Sequence, residues 1–90
     1  MKRENVKSVS KVDALYVEDL RRIVEVSTEG WRLLAGWGAE TSSLDPSQRK
    51  LALNISRALR SGRRITAEEA NRAVAILDRA AELGFQLVAP

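Results

Sequence analysis

Apolar residues recur at helical spacing along most of the chain, and this pattern predicts four helices. The first predicted helix opens at Ser10, and Asp13, three residues later, supplies the acidic half of a capping box. We expect this helix to end near Val26. Its apolar stripe consists of Val17, Leu20, Ile23 and Val24.

A short second helix is predicted from the segment that follows. Residues 27–30 offer a capping hydroxyl and an early acid, and Gly36 and Gly38 offer a stop. Its apolar side chains are Trp31, Leu34 and Ala35. The alternative is one bent helix over residues 13–36.

The third and fourth helices have clear start and stop signals. Asp45 before Pro46 places a capping carboxylate ahead of a proline at the first helical position, and Gly62 suits the left-handed position after a helix end. Thr66 with Glu69 forms a second capping box. The fourth helix is expected to end at a glycine, Gly84.

These elements predict an all-α fold: a small bundle of about four helices whose last two form a C-terminal hairpin. Residues 10–90 are expected to form one helical domain, and residues 1–9 a flexible N-terminal tail. Strand signals are weak and limited to residues 85–88.

Composition then narrows the chemistry that 90 residues can support. Apolar residues make up 44% of the chain and charged residues 30%, as in ordinary globular proteins. Cysteine and histidine are absent, so the common zinc sites and disulfides cannot form. No apolar run approaches the roughly 18 residues of a membrane span. We therefore expect a cytoplasmic, unprocessed protein with no membrane partner.

Charge is distributed unevenly along the chain. Residues 1–45 hold seven basic and eight acidic side chains, a net charge of −1, whereas residues 46–90 hold eight basic and four acidic ones, a net charge of +4. Within residues 49–64 all charge is positive. These cations are Arg49, Lys50, Arg57, Arg60, Arg63 and Arg64.

This acid-free stretch predicts an anion-binding surface. A surface of one sign attracts polyanions, and arginine pairs with phosphate in a bidentate manner. Leu53 falls opposite the core stripe of the third helix, among the arginines. The candidate nucleic-acid-binding residues are therefore the six cations. Alternatives are an acidic protein partner, or arginines that pair with nearby acids and a Leu53 that packs inside.

Helix, glycine turn and helix also invite comparison with helix-turn-helix DNA readers. However, the outer face of the fourth helix mixes acids such as Glu68 and Asp78 with its arginines. If DNA or RNA is bound, we expect the third helix and the turn at residues 62–65 to contact the phosphate backbone more than base edges.

Apolar residues outside the core stripes predict a protein interface. Trp31 is expected in the core, whereas Trp37, between two glycines, is either a lid over the core or an anchor for a partner. Leu15 and Val26 lie opposite the main stripe of the first helix. The candidate partner-binding residues are Leu15, Leu33, Trp37 and Leu53, and the predicted occupant is a second copy or another protein.

No residue pattern predicts catalysis. The carboxylates fit helix caps, first turns or salt-bridge spacing such as Glu68 to Arg72, and no glycine-rich phosphate loop precedes a lysine. We predict no catalytic residue, no cofactor and no metal, and hence a non-enzymatic module.

From Trp31 onward the pattern resembles a known type of module. The matching positions are Trp31, Trp37-Gly38, the segment 48–52, Ile55, Arg57, Gly62-Arg63, Thr66, Ala70, Ala73, Ile76-Leu77 and Gly84-Phe85. Together they resemble a small helical module of bacterial phage-defence and DNA-processing proteins, which tends to sit at the end of a longer chain. The resemblance implies nucleic-acid handling or docking within a defence complex. Because this chain stands alone from Met1, it favours an adaptor, regulator or subunit.

Overall fold

The chain folds into three helices that pack side by side. A computed structural model describes the backbone of residues 2–86 and the side chains of residues 14–86. The helices are α1 (Lys2–Thr41), α2 (Pro46–Ser61) and α3 (Ala67–Glu82). The predicted all-α class is confirmed, with three helices in place of about four.

The predicted first and second helices are one helix, α1, with a kink. Ser27 has φ 72° and ψ 160°, and its hydroxyl accepts a hydrogen bond from the Gly30 N–H at 3.1 Å. The serine therefore caps the second half of α1, as its place in the sequence predicts, but the helix resumes at once. The bent-helix alternative describes this arrangement.

The ends of α1 differ from those predicted. It begins at Lys2, not at Ser10, and continues through Gly36 and Gly38 to Thr41. A helical backbone does not determine mobility, so the flexibility of residues 1–9 stays a prediction.

Gly38 lies inside the helix because the chain returns closely over it. Leu44 is 1% exposed and packs directly on the Gly38 backbone. A Cβ atom at position 38 would lie 2.5–2.7 Å from three side-chain atoms of Leu44. This glycine therefore provides space for a packing contact, which sequence spacing alone does not distinguish from a stop signal.

The capping box predicted at Thr66 and Glu69 is confirmed, and the predicted cap Asp45 forms one with Gln48, whereas the box predicted at Ser10 and Asp13 is wrong because the helical backbone of α1 already begins at Lys2. Asp45 accepts the Gln48 N–H at 2.8 Å, and the Gln48 side chain accepts the Asp45 N–H at 2.9 Å. Thr66 and Glu69 make the same reciprocal pair at 3.1 and 3.0 Å. These local contacts define where α2 and α3 begin.

Glycines also end the last two helices, as predicted. Gly62 takes φ 77° after α2, and Gly84 takes φ 102° after α3. The Phe85 N–H then donates to the Ala80 carbonyl at 2.9 Å and the Gly84 N–H to the Ala81 carbonyl at 3.2 Å, a Schellman ending. No strand occurs in residues 2–86, and the rest of the predicted strand at 85–88 lies outside the described residues.

The core centres on Trp31, which is fully buried as predicted. Its indole N–H donates to the Ile23 carbonyl at 2.9 Å, near the kink. The other fully enclosed large side chains are Ile23, Leu34, Leu44 and Ile55. On the first half of α1 the predicted stripe is partly wrong, because Val17 and Val24 are each 60% exposed whereas Val26 is buried.

Helix α1 organises the packing, since α2 and α3 each contact it more extensively than they contact each other. The two helices of the predicted C-terminal hairpin contact each other as well, but less extensively than either contacts α1. Side chains tie the elements to α1: the Tyr16 hydroxyl donates to the Ile65 carbonyl and the Ser56 hydroxyl to the Thr28 carbonyl, the latter at 3.0 Å. Consequently the outer side of α2 faces away from the core.

Candidate nucleic-acid interface

The outward face of α2 carries basic side chains and one leucine. At 100° per residue, Lys50, Leu53, Arg57 and Arg60 fall within an arc of about 80°, and they extend about 15 Å along the helix. All four are exposed, and the opposite side of α2 is buried. We name these four residues the basic face.

The cations of the basic face have no acidic partner within the described part of the chain. Helix α2 contains no acidic residue, and neither Lys50, Arg57 nor Arg60 makes an ion pair with residues 14–86. Arg57 contacts only the Asn54 side-chain oxygen, at 3.4 Å. These three cationic groups are therefore exposed and have no carboxylate partner among residues 14–86.

The arginines of α1 provide a contrast within the same protein. Arg21 pairs with Glu18 and Glu25, and Arg32 pairs with Glu29 at 2.8 Å. Each is on an exposed side of α1. Within residues 14–86, the exposed arginines of α1 are thus neutralised and those of α2 are not.

Arg22 of α1 is also paired, in this case with a different helix. It contacts Asp78 of α3 at 2.7 Å, and this hydrogen bond raises its pKa. The ion pair helps to connect α1 to α3 rather than offering a free charge.

The loop after α2 contributes Arg63 and Arg64, with different surroundings. Arg64 is exposed and makes no ion pair with the described residues. Arg63 lies 3.5 Å from Glu69 and also donates to the Arg64 carbonyl at 3.0 Å. Arg64 therefore extends the basic face, whereas Arg63 is partly engaged in holding the loop.

Arg49 also has a structural contact. It is half-buried beside the basic face, and its guanidinium donates to the Leu44 carbonyl at 2.9 Å. The six cations predicted from the sequence thus divide into two groups. Four are free within the described chain, and two are tied to backbone or to a carboxylate.

The carboxylate nearest the loop, Glu69, is held in its ionised form. The backbone N–H of Thr66 is the main cause that lowers its pKa, burial opposes this, and Arg63 lowers it further. Because Glu69 is occupied by the cap and by Arg63, it does not neutralise Arg64.

Helix α3 presents a mixed surface. Arg72 pairs with Glu68 at 3.1 Å, and Asp78 is the partner of Arg22. The sequence predicts Arg79 on the exposed face of this helix, but Arg79 is not among the predicted site residues. It is exposed, makes no ion pair with the described residues and lines a groove between α2 and α3 with Leu51. That groove arises from the packing of α2 beside α3, which the sequence does not reveal.

The predicted partner-binding residues lie on separate parts of the surface. Leu15 is 64% exposed, Leu33 is 56% exposed, and Leu53 belongs to the basic face. Trp37 is half-buried and packs against Phe85, with ring centroids 5.1 Å apart and ring planes tilted by 51°. Trp37 therefore covers part of the core, and its edge lines a groove with Leu33.

Among residues 14–86 there is no group of three or more side chains placed to hold a metal ion. Within the described helices, none combines the length and the apolar content that crossing a bilayer requires.

The remaining guide to function would be a relative. Comparisons with protein-family models, with curated proteins and with solved structures find no match to this chain. The resemblance to phage-defence modules accordingly stays a prediction, and the functional argument rests on the geometry above.

Proposed function

We propose that this protein is a non-enzymatic nucleic-acid-binding module. The cations of the basic face and Arg64 contact phosphates, and Arg49 and Arg63 add charge at the edges of that surface. Phosphate contacts of this kind supply most of the affinity of a protein for DNA or RNA, and they require exposed cations that no carboxylate neutralises.

The observation that supports this proposal most strongly is the contrast between helices. Each described arginine of α1 is ion-paired, whereas the cations of the basic face are not. Exposed charges add little to stability even when they are paired, so the cations of the basic face are not needed for folding. A set of cations on one rigid helix instead provides a field directed at an external anion.

The salt dependence of binding tests the proposal directly. Binding of the full chain to short labelled DNA and RNA is measured between about 50 and 200 mM salt. If Lys50, Arg57, Arg60 and Arg64 each neutralise one phosphate, the slope of log K against log salt is about −3.6 on duplex DNA. Affinity then falls about 100-fold over that range.

A matched pair of double variants separates site from net charge. Arg57→Ala with Arg60→Ala removes two charges from the basic face, and Arg21→Ala with Arg32→Ala removes two from α1. We expect the first pair to reduce the salt slope by about 1.8 and the second to leave it nearly unchanged. Absence of binding at the lowest salt, or equal losses in both variants, contradicts the proposal.

The second candidate function is a protein-interaction or dimerisation adaptor that does not contact nucleic acid. Exposed apolar side chains favour this function. Leu15, Val17, Val24 and Leu33 of α1 are all more than half exposed, and Leu33 lines a groove with Trp37. Sedimentation at micromolar concentration tests the dimer. A particle of 10.0 kDa, the mass of one chain, would exclude it.

A further inference from the structure

Three residues of the basic face and the neighbouring Asn54 have the spacing of a helix that reads DNA. Lys50, Leu53, Asn54 and Arg57 stand at positions i, i+3, i+4 and i+7, so they project from one side of α2. Three are exposed and Asn54 is half-exposed. They extend over about 10 Å, the length of about three base pairs.

The chemistry of these side chains matches base edges as well as phosphates. Lysine and arginine donate to the O6 and N7 acceptors of guanine, and asparagine pairs in a bidentate manner with adenine. An apolar side chain contacts the methyl group of thymine. Leu53, which is 36% exposed at the centre of the basic face, has no role in a purely electrostatic surface.

The surroundings of α2 leave this side open for insertion. The exposed arc of α2 from Arg60 through Lys50 to Ser47 is about 140° wide, and the major groove of about 12 Å admits one helix. Arg60 lies in the last turn of α2, and Arg64 lies in the loop that follows it. They are placed to contact the phosphates that flank a groove.

We propose that α2 enters the major groove of duplex DNA and that Lys50, Leu53, Asn54 and Arg57 read base edges there. This inference rests on the proposed nucleic-acid binding and adds the class of ligand: double-stranded DNA of a preferred sequence. It differs from the expectation of predominantly backbone contact, because Leu53 and Asn54 add an apolar group and an amide that match base edges.

The same geometry selects against duplex RNA. The major groove of an A-form helix is deep and too narrow for side chains to read.

Asp45, the acid at the start of α2, is engaged in the capping box with Gln48 and lies at the end of the helix away from Arg60.

A selection experiment tests the inference with the full 90-residue chain. A duplex DNA library randomised over about ten base pairs, one helical turn, is selected by the wild type with unlabelled nonspecific DNA as competitor. We expect an enriched sequence of three to four adjacent positions. The enriched DNA, its scrambled version and the duplex RNA of the same sequence are then compared at one salt concentration.

Three variants assign the contacts. Asn54→Ala is expected to lose roughly 5- to 100-fold of the discrimination at one base position, the range of one bidentate pair. Arg60→Ala is expected to weaken all duplexes equally and keep the enriched sequence. Asn71→Ala, an exposed asparagine on α3, is the matched control and should change neither quantity. Far-UV circular dichroism verifies that each variant is folded, and Lys50→Ala replaces Asn54→Ala if the latter unfolds.

The outcomes separate this inference from the proposed function. Salt-dependent binding without an enriched sequence, or equal affinity for the matching DNA and RNA duplexes, overturns groove reading and leaves phosphate binding in place. No binding to any nucleic acid at low salt overturns both.

Discussion

Replacing Gly38 by alanine tests the packing of α1 against the loop that leads to α2. The expected effect combines two opposed terms. Alanine is better than glycine in a helix interior by about 0.8–1.0 kcal/mol. Against this, the new Cβ would lie 2.5, 2.6 and 2.7 Å from the Cδ1, Cγ and Cβ atoms of Leu44.

The size of the clash follows from these distances. Favourable carbon–carbon contacts lie at about 3.5–4.0 Å, so the overlap with each atom is about 1 Å. The Leu44 Cβ atom is fixed to the backbone and cannot move away by side-chain rotation. The backbone of Leu44, which is 1% exposed, must shift, at a cost of about 1–3 kcal/mol.

Gly36 offers an internal control two residues earlier in the same helix. A Cβ there has no heavy atom within 4 Å. Gly36→Ala should therefore raise the free energy of unfolding by about 0.8 kcal/mol, whereas Gly38→Ala should lower it by about 1 kcal/mol. The propensity gain is common to both variants, so their difference of about 2 kcal/mol isolates the clash.

Urea unfolding monitored by circular dichroism measures this difference. With a slope of about 1 kcal/mol per M for a small domain, the two midpoints should differ by about 2 M. Thermal midpoints should separate by about 8–16 °C, since 1 kcal/mol corresponds to about 4–8 °C at this size. Gly38→Ala equal to or more stable than Gly36→Ala would refute the packing argument.

A double-mutant cycle identifies the partner of Gly38. Leu44→Ala alone should cost about 2–5 kcal/mol, because it empties a buried site. Combined with Gly38→Ala, the cost should be smaller than the sum of the two single changes by at least about 1 kcal/mol. Additive effects would indicate that the new methyl group is accommodated elsewhere.

Three further predictions concern the kink, the core and the cap. Ser27→Gly should stabilise the fold by about 1 kcal/mol in urea unfolding, because the positive φ is strained for serine and glycine replaces a cap at little cost; Ser27→Ala should destabilise it by a similar amount. Trp31→Phe should cost about 2 kcal/mol in the same assay, since it leaves the buried Ile23 carbonyl without the indole donor, and an unchanged midpoint would contradict this role. The pKa of Glu69 is lowered in the folded state, so its stabilising contribution is fully present above the ordinary glutamate pKa, about 4.3, and is lost as the pH falls through the lower folded value. Glu69→Gln should remove that part of the acid sensitivity in urea midpoints measured from neutral to acidic pH, and parallel curves for the two proteins would count against it.

The features that depend on neighbours a few residues apart follow from the amino-acid sequence. The capping boxes at Asp45 and Thr66, Pro46 at the start of α2 and the glycines after α2 and α3 rest on contacts three to five residues apart, so the local sequence specifies them. The concentration of positive charge in α2 is likewise a property of its own residues.

The packing of the three helices selects which of several similar residues are buried. Val24 and Val26 are alike in sequence terms, yet only Val26 is buried, because the positions of α2 and α3 choose the face of α1 that is covered. The sequence suggests that Gly38 ends the helix, and only the packing of Leu44 against it shows that this glycine has a different role.

The same distinction applies to the candidate site. Local spacing predicted that six cations would form one surface, but it could not separate Arg49 and Arg63, which contact Leu44 and Glu69, from the cations left unpaired. Pairing depends on which backbone carbonyls and carboxylates the fold brings within about 4 Å of a guanidinium, and that is a property of distant parts of the chain. The sequence thus specifies which segment carries the positive charge. The packing on α1 determines which of those cations face outward without a carboxylate partner among the described residues.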